Sequence, residues 1–342
     1  MSDFNGGSVL VTGGAGFIGS HLVEALVRLG AEVTVLDNLS SGHLKNLVAV
    51  KHRVDLRTFD LKREDIESLL ASRNFEMIFH LAGHADVPYS VQNPIQDFEK
   101  NALGTLHLIE AIRHLQPQAK VLFASSAAVY GDSSGNSFRE EDPTWPIAPY
   151  GVSKLTAERY IDVYARSYSL RTASLRLFPV YGPRLSAHVV YDLIRKVFEN
   201  PHELFIHGDG TQVRDFNYVT NAVEAFLLVA ERGRLRGEVY NVAAGEPMRI
   251  KDIAQLICEG MSAAPRFIYS GNIGTGVSHQ WSADISRLRN LGYHPRVGTA
   301  EGLALTVAWF RQEMAVAELR SSALSEGSKE GKDLNGMLST KQ

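Results

Sequence analysis

Residues Val9 to Gly19, Val-Leu-Val-Thr-Gly-Gly-Ala-Gly-Phe-Ile-Gly, carry a short apolar strand into a glycine turn and then into an apolar run, Phe17 to Leu29, with helical spacing. Gly13, Gly16 and Gly19 stand three apart. Glycines so placed allow a tight turn, close approach of backbone to a diphosphate, and close packing of helix on strand. A diphosphate there would lie on the helix N-terminus, where N–H groups and the helix dipole favour an anion. The motif is weak alone, since glycine turns also serve only to let a helix pack. The next strand, Glu32–Leu36, strengthens it by ending in Asp37, where a dinucleotide fold puts the carboxylate that accepts bonds from the ribose hydroxyls. A 2′-phosphate would be repelled by Asp37, and the next Lys or Arg is Lys45, so NAD is expected over NADP.

Further apolar strands are predicted at Val54–Phe59, Glu76–Leu81, Lys120–Ala124 and Thr172–Phe178. Helical stretches near Arg63–Ser72, Phe98–Leu115 and Tyr150–Tyr168 separate them. That alternation predicts an α/β protein with a doubly wound parallel sheet. Asp60-Leu61 follows the third strand, a place suited to receiving an adenine amino group. Asp55 offers the same chemistry, and a helix N-cap explains either. His80 and His84 at the fourth strand invite a metal reading, but Gly83 argues against the helix that their spacing needs, and no third ligand is evident. Hydrogen-bonded structural histidines are expected instead.

After the fifth strand come Ser125-Ser126-Ala-Ala and, past a polar loop, Pro149-Tyr150-Gly-Val-Ser-Lys154. Tyr150 and Lys154 are four apart, so a helix places them on one face, with the ammonium able to lie near the phenol. A free phenol with pKa about 10 is a poor base at neutral pH, and a neighbouring cation favours the phenolate. A surface Tyr/Lys pair is the competing explanation.

Composition excludes other classes. The 342 residues carry 35 Lys and Arg against 38 Asp and Glu, a net charge of −3, which gives no footprint for nucleic acid or an anionic membrane. No apolar run reaches membrane-spanning length. Cys258 is the one cysteine, so no intrachain disulfide forms, and its apolar surroundings predict a buried structural thiol. No secretory signal precedes the first strand, so a cytoplasmic protein is expected. Residues 321–342, rich in Ser, Gly, Lys and Glu, are expected to be a mobile tail.

The motifs together resemble the extended short-chain dehydrogenase/reductase superfamily and, within it, the NAD-dependent nucleotide-sugar epimerases and dehydratases. Those that carry the resemblance are Gly13–Gly19, Asp37, Asp60-Leu61, His80-Leu-Ala-Gly83, Asn101-Ala-Leu-Gly-Thr105, Ser125-Ser126, Tyr150-x-x-x-Lys154 and Arg176-Leu-Phe-Pro-Val-Tyr-Gly-Pro-Arg184. Gly208-Asp-Gly-Thr-Gln-Val-Arg-Asp215, Tyr240-Asn-Val and Trp281-Ser-Ala-Asp-Ile285 add to it. The resemblance implies a Rossmann domain, residues 1–178 plus about 213–244, and a smaller substrate-binding domain, about 179–212 plus 245–320. It implies NAD held by Gly13, Gly16, Phe17, Ile18, Gly19, Asp37, Asn38, Asp60, Leu61, Leu81, Ala82, Gly83, Asn101, Ser125, Tyr150, Lys154 and Phe178. Tyr150 would be the acid/base, Lys154 would tune it, and Ser126 would hold the reacting hydroxyl.

The substrate implied is a nucleotide sugar, with Ser126, Pro179, Arg184 and Arg214 near it and Arg214 clamping the diphosphate. A salt bridge to Asp215 is the competing explanation for Arg214. The reaction implied is epimerisation, most often at carbon 4, because Ala127 and Ala128 replace the Asp-Glu pair usual in the dehydratases. Pro179 stands where the family usually has Asn, and Asn272–Gly276 replaces an Arg-Pro-Gly-Asp segment. Arg184, His207 and Asn221 are candidates to compensate. The resemblance also implies a homodimer through the helices Phe98–Leu115 and Tyr150–Tyr168, although Leu103, Leu106, Ile109 and Ile112 are equally explained as intrachain core.

Overall fold

The computed structural model describes residues 4–61, 63–132, 137–271 and 278–316. The expected tail and the segment Asn272–Gly276 lie outside them. Seven parallel strands build the central sheet: β1 (Ser8–Thr12), β2 (Glu32–Leu36), β3 (Val54–Arg57), β4 (Met77–His80), β5 (Lys120–Ser126), β6 (Arg171–Leu177) and β7 (Arg236–Val242). Their spatial order is β3-β2-β1-β4-β5-β6-β7, the doubly wound Rossmann arrangement that the alternating sequence predicts. The helices are α1 (Phe17–Arg28), α2 (Arg63–Ser72), α3 (Val87–Gln92), α4 (Pro94–Phe98), α5 (Gly104–Leu115), α6 (Pro149–Tyr168), α7 (His188–Glu199), α8 (Val219–Arg232) and α9 (Ile250–Met261).

Both faces of the sheet are covered, which is why its central strands β1 and β4 are largely apolar. Successive side chains alternate between the faces. Val9 and Val11 of β1 join Leu22 and Leu26 of α1 and Phe226 of α8. Leu10 between them joins Ile66 of α2, Ile109 and Ile112 of α5, and Ile161 of α6 on the opposite side. Each fully buried Leu or Ile stabilises by about 2 kcal/mol.

Beyond Phe178 the chain builds a smaller lobe. Short strands pair there: Val180–Tyr181 with Asn217–Tyr218, Glu203–Ile206 with Arg266–Tyr269, and Val213–Arg214 between Met248–Arg249 and Gln280–Trp281. Its core joins Leu193, Ile194 and Val197 of α7, Ile253 and Ile257 of α9, and Leu303, Val307 and Phe310 of a last helix, 299–316. Cys258 lies in this core, and burial pushes its thiol up to about 11, as suits a structural cysteine. Between these segments α8 and β7 return the chain to the central sheet.

Two local features concern the walls of the site. Val87–Gln92 is helical despite Pro88, because Asp86 caps it by accepting from the Tyr89 N–H at 2.8 Å and proline is tolerated in a first turn. The run predicted from Phe98 to Leu115 is α4, a π-helical turn over Glu99–Leu103, and then α5.

Candidate active site

The order of the sheet reverses between β1 and β4, the place where such sheets bind ligands. A cleft of about 720 Å³ opens there, walled on one side by the loops after β1, β2, β4 and β5 and on the other by residues 177–190, Arg214, Phe216 and Trp281. It gathers every predicted site residue except Asn101 and the candidates His207 and Asn221.

The glycine turn has physical reasons for its residues. Gly13 has φ +70°, and a Cβ on it would stand 2.7 Å from the Ala82 nitrogen. On Gly19 a Cβ would meet the Gly13 carbonyl oxygen at 2.1 Å. No side chain caps α1 and no acid sits in its first turn, so its positive end is presented to the cleft. Asp37 closes the next wall, with Oδ2 accepting from the Ala15 N–H at 2.9 Å and Oδ1 from Leu39 at 2.8 Å. Asn38 and Asp60 line the rim beside it. Asp55, the alternative to Asp60, pairs with Arg57 at 2.9 Å away from the cleft.

Tyr150 and Lys154 stand one turn apart on α6, both buried and both on the cleft. The Tyr150 N–H donates to Ser90 Oγ at 3.1 Å, which fixes the start of the helix. Burial pushes the phenol up to about 12, a hydrogen bond from Ser126 opposes this, and the charge of Asp97 adds to it. Burial pulls Lys154 down to about 8, opposed by Asp97. Lys154 Nζ donates to the Ala124 carbonyl at 3.1 Å and lies 4.9 Å from the Phe123 ring centroid. Ser126 thus acts on the phenol against burial, and among the described residues no hydrogen bond joins Tyr150 to Lys154.

Ser125 lines the cleft but gives its hydroxyl to Glu158 Oε2 at 2.9 Å. Glu158 forms a fully buried ion pair with Arg176, Nη2 to Oε1 2.5 Å, and this ties β6 to α6. Asn101 does not line the cleft: the π-helical turn buries it behind the wall. Its Oδ1 accepts from the His84 N–H and its Nδ2 donates to the His84 carbonyl, both at 3.1 Å, so it shapes the wall without lining it. His80 hydrogen-bonds Thr12 Oγ1 at 2.7 Å and Thr105 Oγ1 at 2.9 Å, and burial pulls it down to about 3. His84 lies in the following loop with its ring against Tyr89. No group of three or more His, Cys, Asp or Glu that could hold a metal occurs among the described residues.

At the far end, Arg214 is buried in the cleft wall and stacks on Trp281, 5.0 Å from the ring centroid. Three of its N–H bonds go to the carbonyls of Val213, Ser278 and His279. Asp215 turns away from it, its Oδ1 accepting from the N–H of Gly245 at 2.9 Å and of Glu246 at 3.3 Å. Arg184 lines the cleft in the left-handed region, φ +73°, and its guanidinium binds Glu24 and Ser20 of α1, strapping the second lobe to the first. Pro179 lines the wall and its carbonyl accepts from the Asn217 N–H at 2.9 Å. His207 and Asn221 lie outside the cleft. Asn221 instead fixes the loop at Arg296 and Val297.

The sequence reading missed Ser186 to Val190 as site residues. His188 there has φ +69° and faces the charge of Asp86 from across the cleft. Only the packing of one lobe on the other brings that segment to the site, so no local pattern marks it. Trp281 was visible as part of a motif, but its place in the wall was not.

The sequence profile of the NAD dependent epimerase/dehydratase family matches residues 9–243. The chain belongs to that family. It is 33% identical over 312 residues to a UDP-glucose 4-epimerase of Mycolicibacterium smegmatis, covering 89% of this chain and 98% of that one. Solved UDP-glucose 4-epimerases are similar in structure. That of Thermotoga maritima, with UDP-glucose, has a TM-score of 0.84 at 34% identity, covering 90% of this chain and 99% of that one. That of Thermus thermophilus, in complex with NAD, has a TM-score of 0.80 at 36% identity, covering 89% and 99%. NAD is the cofactor of the epimerase/dehydratase family, and the cleft fits it: glycines where a Cβ would collide, an uncapped helix N-terminus, and a carboxylate at the end of β2.

Proposed function

We propose that this member of the epimerase/dehydratase family epimerises a nucleotide sugar at carbon 4 through a transient 4-keto sugar. The observation that carries this reading stands next to Ser126. Ala127 and Ala128 form the turn after β5, both buried, with Ala128 on the cleft. The dehydratases that the sequence resembles place an Asp-Glu pair there to eliminate water. Methyl groups neither give nor take a proton, so the ketone has no route to elimination through these positions.

Ser126, Tyr150 and Lys154 are the residues we assign to the chemistry. The Ser126 hydroxyl holds the sugar hydroxyl against the Tyr150 oxygen, which takes its proton and returns it to the keto oxygen. NAD, held by the glycine turn and Asp37, would supply the hydride acceptor and donor for the same carbon. Lys154 supplies positive charge beside the site, which favours the phenolate that burial opposes. Arg214 fits the diphosphate, since it is a buried guanidinium in the cleft wall. The smaller lobe would then bind the nucleotide end.

Pro179 supports a second reading, a net oxidation of a different sugar or nucleotide sugar. It offers no amide where the family usually places one. The test is to incubate the NAD-loaded protein with a panel of UDP-, GDP-, CDP-, ADP- and dTDP-hexoses, following NADH absorbance and the product by NMR. A carbon-4 stereoisomer without accumulating NADH is the expected result. Accumulating NADH moves the assignment to the second reading, and a 4-keto-6-deoxy product overturns the argument from Ala127 and Ala128.

We also propose a homodimer through α4 and α6. Ile109 and Ile112 serve the chain's own core, but Ile95, Phe98, Val152 and Val163 remain exposed.

A further inference from the structure

Asp97 is completely buried, an unusual place for a carboxylate. It sits on α4 just before the π-helical turn that carries Asn101. Asn101 Nδ2 donates to Asp97 Oδ1 at 2.9 Å, and Oδ2 has no hydrogen-bond partner. The same Asn101 amide grips the backbone of His84 on both sides. Asn101 and Lys154 also meet at one point of the wall. A Cβ on Gly83 would stand 2.6 Å from Asn101 Oδ1 and 3.2 Å from Lys154 Nζ.

We propose that Asp97 is a positioning residue for the catalytic pair: its buried carboxylate keeps Lys154 as an ammonium ion and, through Asn101, fixes the Gly83–His84 wall against which Lys154 rests. The inference rests on the assignment of Tyr150 and Lys154 given above. A buried lysine sheds its proton readily unless a negative charge is near, and Asp97 is the charge that acts on Lys154 against burial. The other titratable groups around the pair are Tyr150 on α6, His84 after β4, on which Asp97 and Lys100 both act, and His80 on β4, on which Lys154 acts. His80 is neutral at ordinary pH and His84 has its own pairings, so neither replaces the carboxylate. The unpartnered Oδ2 fits a group retained for its charge, since a buried acceptor left unbonded carries a desolvation cost.

The test uses NAD-loaded full-length protein carrying carbon-13-labelled lysine, with the Lys154 signal assigned by its loss in Lys154→Met. Asp97→Asn keeps the shape and the acceptor for Asn101 while removing the charge. Its Lys154 signal should titrate lower than in the wild type by about half a pH unit or more, and Asp97→Glu should restore part of the difference. With UDP-glucose as the probe substrate, the alkaline limb of the turnover profile should move the same way. A merely structural Asp97 would lower turnover or stability and leave the Lys154 midpoint in place, and that result overturns the proposal. The NMR titration needs no turnover, so inactivity on UDP-glucose would count against the functional assignment alone.

Discussion

Tyr150, the acid/base we propose, shows how far neighbours set a phenol's chemistry. Buried as it is, the phenol is pushed up to about 12, with Ser126 opposing burial and the charge of Asp97 adding to it. Removing the oxygen alone is therefore a sharp test. Tyr150→Phe should lower turnover of the epimerised sugar by about 10²–10⁴-fold, while NAD affinity and unfolding midpoint stay near the wild type. Stopped-flow turnover beside calorimetric titration with NAD checks both halves, and substantial activity in the variant would remove Tyr150 from the mechanism. At this scale the sequence was informative wherever the chemistry is local. Glycines three apart and a Tyr-x-x-x-Lys spacing dictate their own geometry. The meeting of Ser126 with Tyr150 joins a strand end to a helix start, so spacing alone could not show that Ser126 acts on the phenol.

Elements were legible where a periodic apolar pattern runs long enough. The helix read as Arg63–Ser72 has those bounds, and β1 and β2 follow their Val and Leu runs. The π-helical turn was not legible, because its inserted residue is fixed by what Asn101 and Asp97 bond, not by any change in hydrophobic period. The small strands of the second lobe are two to four residues long, too short for a period to declare itself. Asp215 staples three of these pieces, accepting from Gly245 and Glu246 after β7 and, at 3.5 Å, from Ala283. Its burial has a pH consequence. The carboxyl is pushed up from 3.8 to about 6, so between those values the native state holds a proton that the unfolded chain has lost. Stability from this group is therefore present at the acid side and is lost as pH rises through about 6. Asp215→Asn should remove the dependence. Urea unfolding at a series of pH values should show the variant gaining on the wild type from about pH 4 to 6, by at most about 3 kcal/mol. Parallel curves would mean that the group is not protonated in the native state.

The whole molecule raises the question of what α6 faces. One side of the helix carries Tyr150 and Lys154 to the cleft and packs Ala157 and Ile161 into the core, which leaves Val152 and Val163 half exposed on the other. α3 and α4 pack beside it, and there Val91, Ile95 and Phe98 are 49%, 69% and 46% exposed. Single exposed apolar residues need no explanation, but several on adjoining helices are what a partner surface looks like. A second copy turning the same face about a two-fold axis would cover them, since such an interface is self-complementary. At micromolar concentration, light scattering should give a mass near twice the 37.7 kDa of one chain. Ile95→Glu and Val163→Glu should each shift it toward the monomer with circular dichroism unchanged, because a carboxylate left in an apolar interface has no partner and carries a desolvation cost. A monomeric wild type, or Glu variants that stay dimeric, would place the interface elsewhere. The dimer would also bear on catalysis, because α6 would be held by core on one side and partner on the other. Turnover should then fall with dissociation while the cleft residues of each chain remain intact.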